Sequence, residues 1–136
     1  MEQLTDKQKA TIIDALNNIE LPRFFTYTGK KPSEVIDYLV WHITVKGVRL
    51  KPYYPKWKWS KTVGYRNKGE YVIYYNVYRQ NDEVALFGLI VHEVCHMCGI
   101  GHGSNCMRWY CDGHKKTKSA NVHLEKAVKK YLRKNK

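Results

Sequence analysis

The sequence predicts an α+β protein with the order helix, helix, strand pair, helix, irregular chain, helix. Three observations carry this reading. Apolar residues recur at helical spacing in separate stretches at both ends of the chain and in its middle. Between them lies a stretch rich in Tyr, Val and Ile, the residues that suit a pleated surface. Helical and strand-like segments come in blocks, not in the strand–helix alternation of a parallel α/β fold.

Thr5 to Glu20 opens the chain as an amphipathic helix. Ile12, Ile13, Leu16 and Ile19 share one face, Thr5 and Gln8 have capping-box spacing, and Pro22 sets the end. Ser33 to about Ile43 is a second helix, with Val35, Ile36, Leu39, Val40 and Ile43 on one side. Lys46 to Lys68 holds eight basic residues and no acidic one, interleaved with Tyr53, Tyr54, Trp57, Trp59 and Tyr65. Lys and Trp alternate there, which predicts a strand. Asn67-Lys68-Gly69 signals a turn, and Glu70 to Arg79 is a second strand, so the two are expected to form a β-hairpin. Gln80-Asn81-Asp82 caps a helix from about Glu83 to Cys98, and Gly99 suits a left-handed C-terminal turn. Ile100 to Lys118 is expected to be irregular. Ser119 to Arg133 is a last helix, carrying Val122, Ala127, Val128, Tyr131 and Leu132, with a Lys-rich opposite face.

A length of 136 residues fits one domain spanning 1–136. No apolar run approaches the roughly 18 to 20 residues that a membrane helix needs, so no membrane span is expected. The stretch from Met1 to Asp6 has neither the basic nor the apolar region of a secretory signal, which favours a cytoplasmic protein with reduced thiols. The balance of 24 Lys+Arg against 12 Asp+Glu gives a net charge of +12 and favours acidic partners such as DNA or RNA. The basic aromatic stretch 46–68 suits single-stranded nucleic acid, and the Lys-rich C-terminal region adds phosphate affinity. The slightly preferred alternative is that these rings fill the core while the lysines are solvated.

The chemistry-bearing segment is His92-Glu93-Val94-Cys95-His96-Met97-Cys98-Gly99-Ile100-Gly101-His102. His92 and His96 stand four apart, on one face of the predicted helix, where both imidazoles reach one metal ion. Glu93 is turned by about 100° around the axis, which leaves it free to take a proton from a water. A catalytic zinc site usually has three protein ligands and one open position. His102 becomes the third ligand if the chain reverses at Gly99, and the glycines at 99, 101 and 103 make that turn sterically cheap. The expected cofactor is Zn2+, the expected metal ligands are His92, His96 and His102, and the expected catalytic base is Glu93. Tyr110 is a candidate oxyanion donor, although ordinary packing is the simpler role for it. The extended substrate is expected to pair with an edge of the Glu70–Arg79 strand. Cys95 and Cys98 read as packed thiols. Cys106, Cys111 and His114 are candidates for part of a second zinc site, with a Cys106–Cys111 disulfide as the alternative. His42, His114 and His123 otherwise read as surface or core residues.

The segment His92-Glu93-x-x-His96-x-x-Gly99-x-x-His102 resembles the signature of the metzincin metallopeptidases, and Met107 resembles their methionine turn. Cys106-Met107-Arg108 is most similar to the archaemetzincin branch. The spacing to Met107 is shorter than usual there, and the four-cysteine pattern of that branch is not reproduced. Gly101-His102-Gly103 with Met107-Arg108-Trp109 also resembles the third-ligand segment of SprT-like proteases and minimal zincins. Both resemblances cover about Glu70 to Trp109. They imply a small zincin-like domain, a β-hairpin or small sheet packed on an active-site helix with flanking helices. They also imply hydrolysis of peptide bonds, and the SprT-like one implies substrates associated with nucleic acid. YbeY-type ribonucleases share the three-histidine spacing but lack the glutamate, so Glu93 favours peptide hydrolysis. The alternatives are a nucleic-acid-binding protein with structural zinc and a metal-dependent ribonuclease of YbeY-like geometry.

Overall fold

A computed structural model describes residues 2–20, 32–57, 64–67, 69–79, 82–98, 108–110 and 117–135. The architecture is α+β, as the patterning predicts. After a short strand β1 (Glu2–Gln3), helix α1 runs over Asp6–Asn18. Its capping box is formed: Gln8 N–H donates to Thr5 Oγ1 at 3.1 Å and Thr5 N–H donates to Gln8 Oε1 at 2.9 Å. The helix ends at Ile19, in extended conformation, slightly before the expected stop. Helix α2 (Pro32–Trp41) runs on into a π-helical turn over His42–Lys46, beyond the expected end at Ile43.

The expected hairpin is only partly present. Strand β2 (Arg49–Tyr53) pairs in parallel with β4 (Val72–Asn76), with Leu50 opposite Ile73. Only β3 (Gly64–Tyr65) makes the antiparallel, hairpin-like pair with β4. Strand β1 pairs antiparallel with β2, giving a four-stranded mixed sheet of order β1-β2-β4-β3. Alternation along a strand says which face is buried but not which way its neighbour runs, so the pattern is equally compatible with this parallel register. Trp57 lies in a bend after β2, not in a strand. Residues 108–110 and 117–118, expected to be irregular, and Ser119, expected to open the last helix, form a second antiparallel pair, β5 (Arg108–Tyr110) with β6 (Thr117–Ser119).

Helix α3 (Glu83–Met97) is the spine of the molecule. Asp82 caps it by accepting from Ala85 N–H at 2.7 Å. Val84, Phe87, Leu89, Ile90, Val91, Val94 and Cys95 are all buried, so the helix is apolar almost all round and must be covered on more than one side. The sheet covers one side through Leu50 and Ile73. Helix α4 (Ala120–Lys134) covers another with Leu124 and Val128. Helix α1 joins through Ile12, Ala15 and Leu16, and Tyr131 on α4 donates to Asp14 Oδ2 at 2.9 Å. Among the described residues no helix is long and apolar enough to cross a membrane.

The described aromatic residues of the basic stretch 46–68 lie outside this core. Tyr54 is 69% exposed and Trp57 53% exposed. On β2, Leu50 points inward, so Arg49, Lys51 and Tyr53 point to the outer face of the sheet. There Tyr65 and Tyr74 stack at 4.7 Å, Tyr53 meets Tyr65 edge-on at 5.2 Å, and the Lys51 ammonium stands 5.9 Å from the Tyr74 ring. Trp59 lies outside the described residues.

Candidate metal centre

The last turns of α3 bring His92 and His96 together as their spacing requires. Their Nε2 atoms are 3.2 Å apart, with the rings at 71° to each other. Two nitrogens each about 2.0–2.1 Å from a tetrahedral ion stand about 3.3 Å apart, so this pair fits the separation a shared metal imposes. His92, Glu93 and His96 together place one donor atom each within 4.8 Å of one another. This is the one such group among the described residues.

Helix α4 supplies three further side chains. Glu125 Oε1 lies 2.7 Å from His92 Nδ1. A carboxylate there favours the Nδ1–H tautomer and leaves the Nε2 lone pair for a metal. The second oxygen, Oε2, accepts from Lys129 Nζ at 3.0 Å. Burial alone would raise the Glu125 carboxyl. The bonds from His92 and Lys129, with the charges of both, bring it below its ordinary value instead. Asn121, one turn earlier on α4 and fully buried, places its side-chain amide 3.4 Å from His96 Nε2.

Glu93 is 7% exposed. Burial raises its carboxyl above the ordinary value. His92 and Arg66 pull it back down, and the charge of Glu125 adds to the rise. Arg66, just after β3, also donates to the His96 carbonyl at 3.3 Å and to the Glu70 carbonyl at 3.2 Å. A cation is well placed there, because the carbonyls that end a helix carry negative partial charge. The arrangement therefore joins two imidazoles that could hold a cation, a buried carboxyl suited to exchanging a proton, and a guanidinium against the helix end.

His102, the expected third ligand, lies outside the described residues, as do Gly99, Cys106, Met107, Cys111 and His114. Tyr110 lies on β5, and nothing places its hydroxyl. Cys95 is a fully buried free thiol, pushed well above its ordinary pKa chiefly by burial, so it is an inert packed group as expected. Glu125, Asn121, Lys129 and Arg66 are not singled out by sequence patterning. The one available signal is weak: Asn121 and Glu125 stand four apart on the α4 face that also carries the buried Leu124 and Val128. A groove of about 460 Å³ on the other side of α4, bordered by Ile19, Lys126 and Lys130, contains none of these residues.

In comparisons with known proteins, no family model matches the chain, and no curated protein or solved structure gives a significant match.

Proposed function

We propose that this protein is a zinc-dependent metallopeptidase, with His92, His96 and His102 as ligands and Glu93 as general base. The observation that carries the reading is the 3.2 Å approach of two Nε2 atoms beside a buried glutamate on the same helix. Zinc, when bound, supplies polarisation of the scissile carbonyl and acidification of a water. The chain's own residues do the rest. His92 and His96 present neutral imidazole nitrogens, and Glu125 holds His92 in the tautomer that leaves its lone pair free. Glu93 accepts a proton from the attacking water and delivers it to the leaving amine, a role that suits a carboxyl held above its ordinary value by burial. Strand β3, at the sheet edge and linked to the His96 carbonyl through the adjacent Arg66, offers an extended substrate a backbone to pair with. This differs from the Glu70–Arg79 edge that the sequence suggests, because β4 is an inner strand.

Glu93→Gln is the direct test. Proteolysis of an unfolded protein substrate should fall by several orders of magnitude while zinc stoichiometry stays near one per chain. Full proteolytic activity in that variant would remove Glu93 from the mechanism. His102→Ala should lower zinc affinity, and unchanged affinity would exclude it as a ligand.

A second property is supported by the outward-facing rings. Tyr53, Tyr65, Tyr74 and the exposed Trp57 are interspersed with Arg49, Lys51 and Lys56 in a chain of net charge +12. Rings for stacking beside cations for phosphate are the elements of a single-stranded nucleic-acid surface. On this reading the protease works on proteins associated with nucleic acid.

A further inference from the structure

We propose that Gly88, Lys129 and Glu125 form a relay that positions His92 and thereby sets the metal affinity of the centre. The inference rests on the metal-binding reading above and extends it to residues outside the His-Glu-His segment.

The relay starts from a glycine without a local reason to be there. Gly88 sits between Phe87 and Leu89 in the interior of α3, where alanine would favour the helix more. It is buried, and the space a Cβ would take is filled by the stem of Lys129 from α4. That Cβ would stand 2.8 Å from Lys129 Cγ and 3.1 Å from Cδ, closer than packed carbons allow. The missing side chain thus leaves a channel along which the lysine stem crosses the face of α3. At the end of that stem, Nζ donates to Glu125 Oε2 at 3.0 Å. The other oxygen of the same carboxylate stands 2.7 Å from His92 Nδ1. Each oxygen has its own partner, so the carboxylate is held from both sides and cannot rotate away from the imidazole without breaking a charge-assisted contact. Ring orientation and tautomer of His92 are set by that contact, and both decide whether Nε2 meets an ion.

Lys129 and Glu125 are positioning residues on this account. Their substitution should move metal affinity more than it moves the fold. The test is a zinc competition titration against a chromophoric chelator on the full chain, with thermal melts of the metal-free proteins alongside. Visible absorption of the cobalt-loaded forms reports the ligand field. Glu125→Ala should weaken zinc by about 10- to 100-fold and shift the cobalt spectrum. Glu125→Gln should weaken it less, because an amide oxygen in the same place still faces His92 Nδ1. Lys129→Ala should give a smaller loss in the same direction, and so should Gly88→Ala. In a Lys129→Ala background, Gly88→Ala should have no further effect on affinity, since it acts only by displacing the lysine. Zinc affinity within twofold of wild type in both Glu125→Ala and Lys129→Ala would overturn the relay. So would losses that merely track a lowered melting temperature of the metal-free protein, with an unchanged cobalt spectrum. If the wild-type chain takes up no metal, the metallopeptidase reading fails and the relay with it. A metal-binding wild type with insensitive variants overturns the relay alone.

Discussion

His42 is 4% exposed, and among the described residues neither of its ring nitrogens has a hydrogen-bond partner. It sits among Tyr38, Trp41 and Tyr71, with Lys46 the nearby cation. Burial, and after it the charge of Lys46, holds the imidazole below its ordinary pKa. The folded protein therefore binds fewer protons at this site than the unfolded chain does. The stabilisation from neutral His42 is complete above about pH 6.5, the unfolded value, and is lost as pH falls through it toward the lower folded value. His42→Phe should flatten this part of the profile. Urea midpoints of the variant and the parent should converge or cross between about pH 7.5 and pH 5.5, and parallel slopes would show that other groups govern acid sensitivity. The sequence leaves His42 open between surface and core, because one histidine on an apolar face carries no sign of its neighbours. His92 and His96 are different: the helical period alone places them together. Glu125, the partner of His92, is illegible for the opposite reason, being a contact through space from another helix.

At the scale of elements, local signals read well and pairing did not. The capping box of Thr5 and Gln8 and the Asp82 cap fall where side-chain chemistry demands, because each involves residues three apart. Strand direction depends on how the intervening chain crosses the sheet, and no short pattern encodes it. The structure also gives Gly64 a role that sequence alone does not. A Cβ on this residue of β3 would lie 2.6 Å from Leu89 Cδ2 and 2.8 Å from the Tyr74 carbonyl oxygen. The leucine can turn, but the strand backbone cannot readily retreat. Gly64→Ala should therefore destabilise the protein by about 1–3 kcal/mol, the usual range for overpacking, read from urea unfolding. A loss below a few tenths would mean that the edge strand moves freely against α3. Because Arg66 lies two residues on and reaches the His96 carbonyl, the same substitution should also be felt at the His92-Glu93-His96 cluster.

The whole molecule is organised around α3, with the sheet on one side and α4 on another, and the site lies where α3 and α4 meet. Sequence patterning locates both helices but marks only α3 as carrying the site. Net charge belongs to this scale too. If the outer face of the sheet binds single-stranded nucleic acid, affinity for an oligonucleotide should fall steeply with salt, log K against log salt having a slope of roughly −0.7 per phosphate neutralised. Fluorescence anisotropy in a salt series measures it, with Lys51→Glu expected to weaken binding at every salt concentration. A flat dependence would exclude the electrostatic surface. The parallel pairing of β2 with β4 has a further consequence, in time rather than in space. Parallel neighbours cannot be zipped from a tight turn, so the two ends of the chain that joins β2 to β4 must be brought together before Leu50 and Ile73 can meet. The contact of Tyr131 with Asp14 spans 117 positions of the chain. Such long-range contacts slow folding relative to a helical bundle of similar size. Helix α3, apolar on nearly every side, is the segment left most exposed during that delay, so it is where a chaperone would be expected to bind first.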